Sequence, residues 1–237
     1  MRNVPALVLV AHGTANATGQ RTVLQVRAQV QRRLPGVRVV DAYVDVQLPR
    51  LRDVVDSLVR EEIPTVIVPL LLSTGYHVEV DVARAAAAPL VTAAPPLGPH
   101  PVLAQILRDR LAEAGATTSD PVVLAAAGSS RPGAALAVQV VAERLALLRP
   151  GRVTAGFASA TTPSVEQAIA DATTEGRRVY VASYLLGHGF FHERLRRLDA
   201  RVTAPIGADR RIAELAIERY RTAARSFSTR PVPAFVA

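Results

Sequence analysis

Short runs of apolar residues alternate along the chain with longer segments in which apolar residues recur every three or four positions. The short runs are rich in valine and are typical of buried strands, whereas the longer segments predict helices. We predict strands over Val4–Ala11, Val37–Asp45, Thr65–Leu72, Leu90–Ala94, Pro121–Ala127, Arg152–Ser159 and Arg178–Leu186. We predict helices over Gln20–Leu34, Pro49–Glu62, Pro101–Ala114, Ala134–Leu148, Ser164–Thr174 and Asp209–Ser226. Strands that alternate with helices indicate an α/β fold, with parallel sheets covered by helices on both faces.

The second half of the chain repeats the pattern of the first. Three pairs of segments match at an almost constant offset of 114 or 115 residues: 11–14 with 126–129, 43–49 with 157–163, and 71–77 with 185–191. A constant offset at three places indicates an internal duplication. We therefore predict two similar lobes, residues 1–116 and 120–237, joined by a linker at 117–120. The carboxyl ends of their strands are expected to meet at a cleft, where open α/β sheets bind ligands.

Three polar residues of the first half fall at predicted strand ends. His12 ends the first strand, Asp45 ends the second, and His77 follows the turn after the third. Because parallel strands end at the same edge of a sheet, these side chains are expected to converge. Two imidazoles and one carboxylate are suitable ligands for a divalent metal. The alternative is structural: hydrogen-bonded histidines, and an aspartate that caps the helix near Pro49.

The internal duplication helps to decide between a metal site and a structural role for these three residues. The residues that match His12, Asp45 and His77 in the second half are Ala127, Ser159 and Phe191. All three candidate ligands are replaced together, while the residues around them persist. This pattern predicts one functional site and one inactive copy, and it indicates that the three side chains are not needed to hold the fold.

The amino-acid composition excludes several kinds of catalytic chemistry. All 28 basic residues among the 237 are arginine, and the chain has no cysteine. A lysine Schiff base, a lysine-containing phosphate loop and thiol chemistry are therefore excluded. The net charge of +8 fits a solvated arginine-rich helix face, an acidic small-molecule ligand or nucleic acid. An aromatic content of 4% gives little support to a base-stacking surface. No targeting or membrane-spanning segment is predicted, and we expect a cytoplasmic protein.

Four segments resemble the class II chelatases, the sirohydrochlorin ferrochelatases and cobaltochelatases. Residues 8–14 look like the opening strand and loop of that family, and residues 68–78 resemble its second histidine motif. Residues 42–49 resemble its acidic segment, although Leu48 stands where the family has glutamate. Residues 183–191 are similar to the degenerate repeat of the long, two-domain form. The resemblance covers nearly the whole chain.

The resemblance implies insertion of a divalent metal into sirohydrochlorin, a tetrapyrrole with eight carboxylates, without a nucleotide or a resident cofactor. It gives His12 and His77 the catalytic roles, shared between metal ligand and proton acceptor, and makes Asp45 a further ligand or an orienting carboxylate. We expect the substrate carboxylates to contact Gly13, Thr14, Asn16, Ser73, Thr74, Gly75 and Arg131. Iron, which leads to siroheme, is favoured over cobalt, which leads to cobalamin. We expect a monomer that binds one productive metal and has no nucleic-acid or membrane partner.

Other interpretations stay open at this stage. A histidine phosphatase has an Arg-His-Gly motif after its first strand, but Ala11 stands at the arginine position here. A tetrapyrrole or metal carrier would use the same residues as a chelatase without turnover. His188 and His192 fall outside the register of His77, and they fit a second weak metal site, substrate contacts or ordinary surface positions. His100, between two prolines, fits a structural role at a helix start.

Overall fold

The computed structural model describes residues 4–73, 76–173 and 177–229, with the backbone alone at 76–78, 132, 228 and 229. The strands are β1 Ala6–Ala11, β2 Val39–Tyr43, β3 Thr65–Pro69, β4 Val91–Ala93, β5 Val122–Ala126, β6 Val153–Phe157, β7 Tyr180–Tyr184 and β8 Arg201–Val202. The helices are α1 Ala17–Arg33, α2 Leu51–Arg60, α3 Tyr76–Ala86, α4 Pro101–Glu113, α5 Pro132–Leu148, α6 Val165–Ala172, α7 Phe190–Leu195 and α8 Arg210–Thr229.

The strands form two parallel four-stranded sheets of the same topology. The first sheet has the order β2-β1-β3-β4, and the second has the order β6-β5-β7-β8. The predicted α/β class, with two similar lobes built on parallel sheets, is confirmed. The sequence pattern did not predict α3, because valine alternates with acidic residues at 78–82 and mimics the period of a strand. It also missed the two-residue strand β8, and it placed the end of β3 at Leu72 instead of Pro69.

Each sheet buries both of its faces. In β1, Leu7 and Leu9 belong to one apolar cluster, and Ala6 and Val8 belong to another on the opposite face. The same alternation recurs in β5, where Leu124 lies in the first cluster. That first cluster lies between the two sheets and contains the apolar faces of α1, α4, α5 and α8. Burial on both faces explains why the strands are continuous apolar runs.

The two halves exchange their last helices. Helix α4 ends the first half but packs against α5 and β7 of the second. Helix α8 ends the second half but packs against α1, β3 and β4 of the first. Each sheet is therefore covered partly by a helix from the other half. The division at residues 116 and 120 remains a proposal about the duplicated units of sequence, since α4 and α8 both pack across it.

Polar contacts reinforce this exchange. The Tyr220 hydroxyl in α8 donates to the Pro5 carbonyl at 2.6 Å, next to the start of β1. Arg211, also in α8, forms an ion pair with Asp109 of α4 at 2.8 Å. The same guanidinium pairs with Asp209 at 2.8 Å, and the two carboxylates raise its pKa. In the described residues, no helix is long and apolar enough to cross a bilayer.

Candidate metal and tetrapyrrole site

His12 and Asp45 lie side by side at the carboxyl edge of the first sheet. The pairing of β1 with β2 continues one step beyond the strands, because the Val44 amide donates to the Ala11 carbonyl at 3.1 Å. The Asp45 amide then donates to the His12 carbonyl at 2.9 Å. Both side chains are exposed. Strand pairing thus brings together two groups that are 33 residues apart, at the edge where a ligand can reach them.

A glycine makes this close approach possible. Gly13 has a φ of +101°, and a Cβ at this position would collide with the Asp45 carbonyl oxygen. Gly128, its match in the second half, has a φ of +90°, and a Cβ there would collide with the Ser159 carbonyl. The left-handed conformation and the backbone contact together require glycine at both places. The loop geometry is therefore kept in both halves, although the candidate ligands are present only in the first.

Asp45 is held in its ionised form. Its Oδ1 accepts from the Val46 amide at 2.8 Å and from Arg50 Nη1 at 3.3 Å. These hydrogen bonds, followed by the charges of Arg50 and His12, keep the pKa of Asp45 below its usual range. The capping alternative is wrong, because α2 begins after Arg50. At neutral pH this edge therefore carries an exposed anionic oxygen beside an imidazole.

The loop between β1 and α1 has internal partners for its polar groups. The Thr14 amide donates to Gln47 Oε1 at 2.8 Å. Asn16 Oδ1 caps α1 by accepting from the Thr18 and Gly19 amides at 2.9 and 3.1 Å. A substrate carboxylate at Thr14 or Asn16 would have to replace these bonds. The contacts expected at Gly13, Thr14 and Asn16 therefore stay predictions, and the Asn16 side chain has a capping role.

The segment after β3 leads from the sheet edge into α3. Ser73 is half-buried, Thr74 and Gly75 lie outside the described residues, and His77 is the second residue of α3. The His77 side chain is also outside the described part. The Leu72 carbonyl, at the start of this segment, accepts a 2.7 Å hydrogen bond from the buried Tyr184 hydroxyl at the end of β7. The second half thus anchors the segment that carries His77.

Arg131 of the second half forms an ion pair with a residue of the first half. It is the N-cap residue of α5, and its amide donates to Ser129 Oγ at 3.2 Å. Its Nη1 lies 3.4 Å from Glu79 Oε2 in α3. Arg131 therefore lies close to the helix that carries His77, and its guanidinium is paired with a carboxylate, so its contact with substrate stays a prediction.

The second-half copy of the site is closed by its own hydrogen bonds. Ser159 Oγ donates to the Ala127 carbonyl at 2.8 Å, which joins the two residues that match Asp45 and His12. Thr161 Oγ1 donates to the Ser129 carbonyl at 2.8 Å and accepts from the Ser129 amide at 3.3 Å. The loops of the second half therefore keep their geometry without the candidate metal ligands.

Three exposed apolar side chains, Val46, Leu48 and Phe190, come shortly after Asp45 and Gly189 in the chain, and the sequence pattern did not single them out. These side chains are 54%, 75% and 76% exposed. Val46 comes directly after Asp45, and Leu48 comes three residues after it. Phe190 follows Gly189, at which a Cβ would lie 3.0 Å from Thr14 Oγ1. Contiguous exposed apolar patches mark interaction or ligand-binding sites, and Val46 and Leu48 on the loop after Asp45 are candidates for such a contact. Leu48, in place of a glutamate, was the signal available in the sequence.

The remaining histidines have different environments. His100 Nδ1 accepts from the Val102 amide at 3.3 Å and caps α4, so its predicted structural role is confirmed. His192 lies in α7 and is buried, whereas His188 precedes the helix and is half-buried. Their rings are 4.7 Å apart in an edge-to-face arrangement.

Comparison with known proteins identifies the family. The CbiX family profile matches the chain twice, over residues 6–114 and 121–223. The fold is similar to SirB from Bacillus subtilis with Fe³⁺, with a TM-score of 0.79, 20% identity, and coverage of 95% of this chain and 98% of that one. SirB from B. subtilis subspecies spizizenii, in complex with cobalt, has a TM-score of 0.75, 19% identity, and coverage of 94% and 96%.

A third solved structure has a similar fold. CbiX, described as the terminal enzyme for biosynthesis of siroheme in denitrifying bacteria, has a TM-score of 0.67, 21% identity, and coverage of 92% of this chain and 99% of that one. No curated protein sequence matches the chain. The two profile matches fall on the two halves that the internal offset predicted. They span most of the sequence, and the chain therefore belongs to the CbiX family.

Proposed function

We propose that this protein is a chelatase that inserts a divalent metal ion into sirohydrochlorin. The observation that carries the proposal is the pairing of His12 with Asp45 at one sheet edge, close to the segment that leads to His77. Two structurally similar proteins are described as a sirohydrochlorin chelatase and as the terminal enzyme of siroheme biosynthesis. In the proposed reaction the metal is a substrate, and the chain itself supplies every catalytic group.

The chemistry requires a metal ligand and a proton acceptor in one place. Two pyrrole N–H protons leave sirohydrochlorin as the metal enters its ring. A neutral imidazole binds a divalent ion or accepts a proton near neutral pH, and His12 and His77 share these roles. Asp45 is anionic at this pH, so it attracts the incoming cation and can ligate it through an oxygen. The proposed products are the metallated tetrapyrrole and two protons.

The walls of the cleft suit the shape and charge of the tetrapyrrole. Val46 and Leu48 beside Asp45 offer an apolar surface to the macrocycle, and Phe190 offers a second from the other half. Arg131 provides a cation for a peripheral carboxylate, which would replace Glu79 as its partner. The net charge of +8 attracts a polyanionic substrate over longer distances. Iron is the favoured metal of this proposal and cobalt the alternative. We further propose a monomeric cytoplasmic enzyme.

Turnover distinguishes this proposal from a carrier. Sirohydrochlorin and Co²⁺ or Fe²⁺ are mixed anaerobically with a small amount of protein, and the absorption change of metal insertion is followed. A chelatase converts many equivalents per chain, whereas a carrier changes at most one. We expect His12→Ala and His77→Ala each to lower kcat by about 10²-fold or more, because a positioned general base contributes about 10²–10⁴-fold.

The duplication supplies the controls. Ala127 already occupies the position that matches His12, so alanine is compatible with this loop. Ser159→Ala changes the position that matches Asp45, and it should leave turnover close to that of the unchanged protein. Full metal insertion by His12→Ala or His77→Ala would overturn the site assignment. Conversion limited to one equivalent per chain would favour the carrier.

A further inference from the structure

Three potential metal ligands cluster where the second half meets the first. Ligand atoms of His188, His192 and Glu193 all lie within 4.8 Å of one another. His188 and Glu193 are half-buried, whereas His192 is only 3% exposed. The cluster is not the second-half copy of the site at His12, because the residue that matches His77 is Phe191. Neither the duplication nor the proposed chelatase site accounts for it.

The hydrogen bond of His192 leaves one ring nitrogen, Nδ1, unprotonated and able to bind a metal ion. Its Nε2 lies 3.2 Å from the Thr203 carbonyl oxygen, which can only accept, so Nε2 carries the proton. The Nδ1 atom then has a lone pair, yet it is buried and has no hydrogen-bond partner among the described residues. A buried acceptor without a partner is costly. Metal-binding histidines commonly donate their other N–H to a backbone carbonyl in this way, which fixes the tautomer.

We propose that His188, His192 and Glu193 form a second site for a divalent transition-metal ion, separate from the site of metal insertion. His192 contributes Nδ1, His188 a ring nitrogen and Glu193 a carboxylate oxygen. Two imidazoles and one carboxylate favour Fe²⁺, Co²⁺, Ni²⁺ or Zn²⁺ over Mg²⁺ or Ca²⁺, which prefer oxygen ligands. The remaining coordination positions belong to water.

The ligand atoms of the three residues need to move only slightly closer together to bind one metal ion. Bonds of about 2.1 Å place two ligand atoms on one ion about 3–4 Å apart, which is close to the separation present. Rotation of His188 and Glu193 can supply the difference while His192 stays in place. Arg196 Nη1 lies 3.7 Å from Glu193 Oε2 and competes with the metal for this carboxylate.

The site lies at the junction between the halves. A Cβ on Gly19 of α1 would collide with the His188 carbonyl, and a Cβ on Gly189 would lie 3.0 Å from Thr14 Oγ1. A metal on His188 would therefore fix a loop that packs against the first turn of α1 and against the loop that carries His12. At this site the metal ion stays bound to the protein and is not inserted into a substrate.

The test is a titration of the protein with Co²⁺ in the absence of sirohydrochlorin, followed by calorimetry and by the visible absorption of bound Co²⁺. The background is the double variant His12→Ala/His77→Ala, which lacks the histidines of the insertion site. We expect this variant to bind one Co²⁺ per chain. Adding His188→Ala should weaken that binding by at least about tenfold, since even the loss of an outer partner of a metal ligand costs about 10–100-fold. Adding His100→Ala instead should leave it unchanged.

Two further measurements separate ligation from a general effect on folding. Arg196→Gln should tighten Co²⁺ binding in the same background, because it frees Glu193, whereas Glu193→Gln should weaken it. In ¹⁵N spectra of imidazoles, Zn²⁺ should shift the His192 Nδ1 resonance. Absence of Co²⁺ binding by the double variant, or equal binding with and without His188, would overturn the proposal. Neither result depends on chelatase activity, so failure here is distinct from failure of the proposed function.

Discussion

The hydrogen bond between Tyr184 and Leu72 is expected to hold the segment after β3 in place, and Tyr184→Phe tests this. The bond is 2.7 Å long and buried, and burial raises the pKa of the phenol, so the hydroxyl remains a donor at neutral pH. The substitution removes the donor and leaves the buried Leu72 carbonyl without this partner. We expect a loss of about 1–3 kcal/mol in the free energy of unfolding.

This loss has a thermal and a kinetic consequence. For a chain of this size, about 1 kcal/mol corresponds to about 2–4 °C, so the Tm should fall by about 2–12 °C. Leu72 leads to Ser73 and to the start of the helix that carries His77. A misplacement of about 1 Å in a catalytic group costs up to about 10²-fold in rate. We therefore expect kcat for metal insertion to fall by about tenfold at a temperature well below the Tm.

Tyr180→Phe is the matched control. Tyr180 lies in the same strand, and its hydroxyl donates to the Gly115 carbonyl at 3.0 Å, at the other end of the sheet. This variant should also lose stability, but it should keep its kcat. Thermal unfolding and metal insertion are measured on both variants. An unchanged Tm in Tyr184→Phe would refute the estimate for the hydrogen bond, and equal kcat values in both variants would refute the positioning role.

Three further predictions concern the charged residues of the proposed site. Asp45→Ala should weaken metal uptake more than binding of the macrocycle, so the apparent Km for Fe²⁺ or Co²⁺ should rise more than the Km for sirohydrochlorin. The control variant Ser159→Ala should change neither Km. Equal losses of activity with all metals, at an unchanged Km for the metal, would contradict a ligand role for Asp45. Arg131→Ala should raise the Km for sirohydrochlorin more than it lowers kcat, and the effect should shrink at high salt, because an exposed ion pair is screened. Glu79→Gln should lower that Km by removing the competing carboxylate, and a rise in Km with Glu79→Gln would show that Glu79 positions Arg131 for the substrate.

Local pattern was sufficient for much of the fold. Apolar runs identify every strand except β8, because a strand buried on both faces needs apolar residues on both. The offset of 114–115 residues predicted the two similar sheets. The adjacency of His12 and Asp45 also follows from parallel pairing, since both residues come just after neighbouring strands. Whether these residues and His77 act together remains a prediction for the variants above.

Long-range packing decided the rest. The apolar faces of α4 and α8 predict that each helix covers a sheet, but periodicity does not say which sheet, and the two helices exchange places. The ion pair of Arg131 with Glu79 joins residues that no local pattern connects. The alternating valines at 78–82 favour a strand locally, yet these residues lie in α3, where Val82 packs into an apolar cluster with residues of β1, β3 and α2. Among the described residues His192 Nδ1 has no partner, because the Thr203 carbonyl, eleven residues away, accepts the hydrogen bond from the other ring nitrogen, Nε2. The sequence by itself determined seven of the eight strands, most of the helices and the adjacency of His12 and Asp45, because these depend on neighbouring residues and on strand pairing. Only the tertiary structure decided how the halves share helices and which charges face each other across the cleft, because those contacts arise only once the two sheets are packed together.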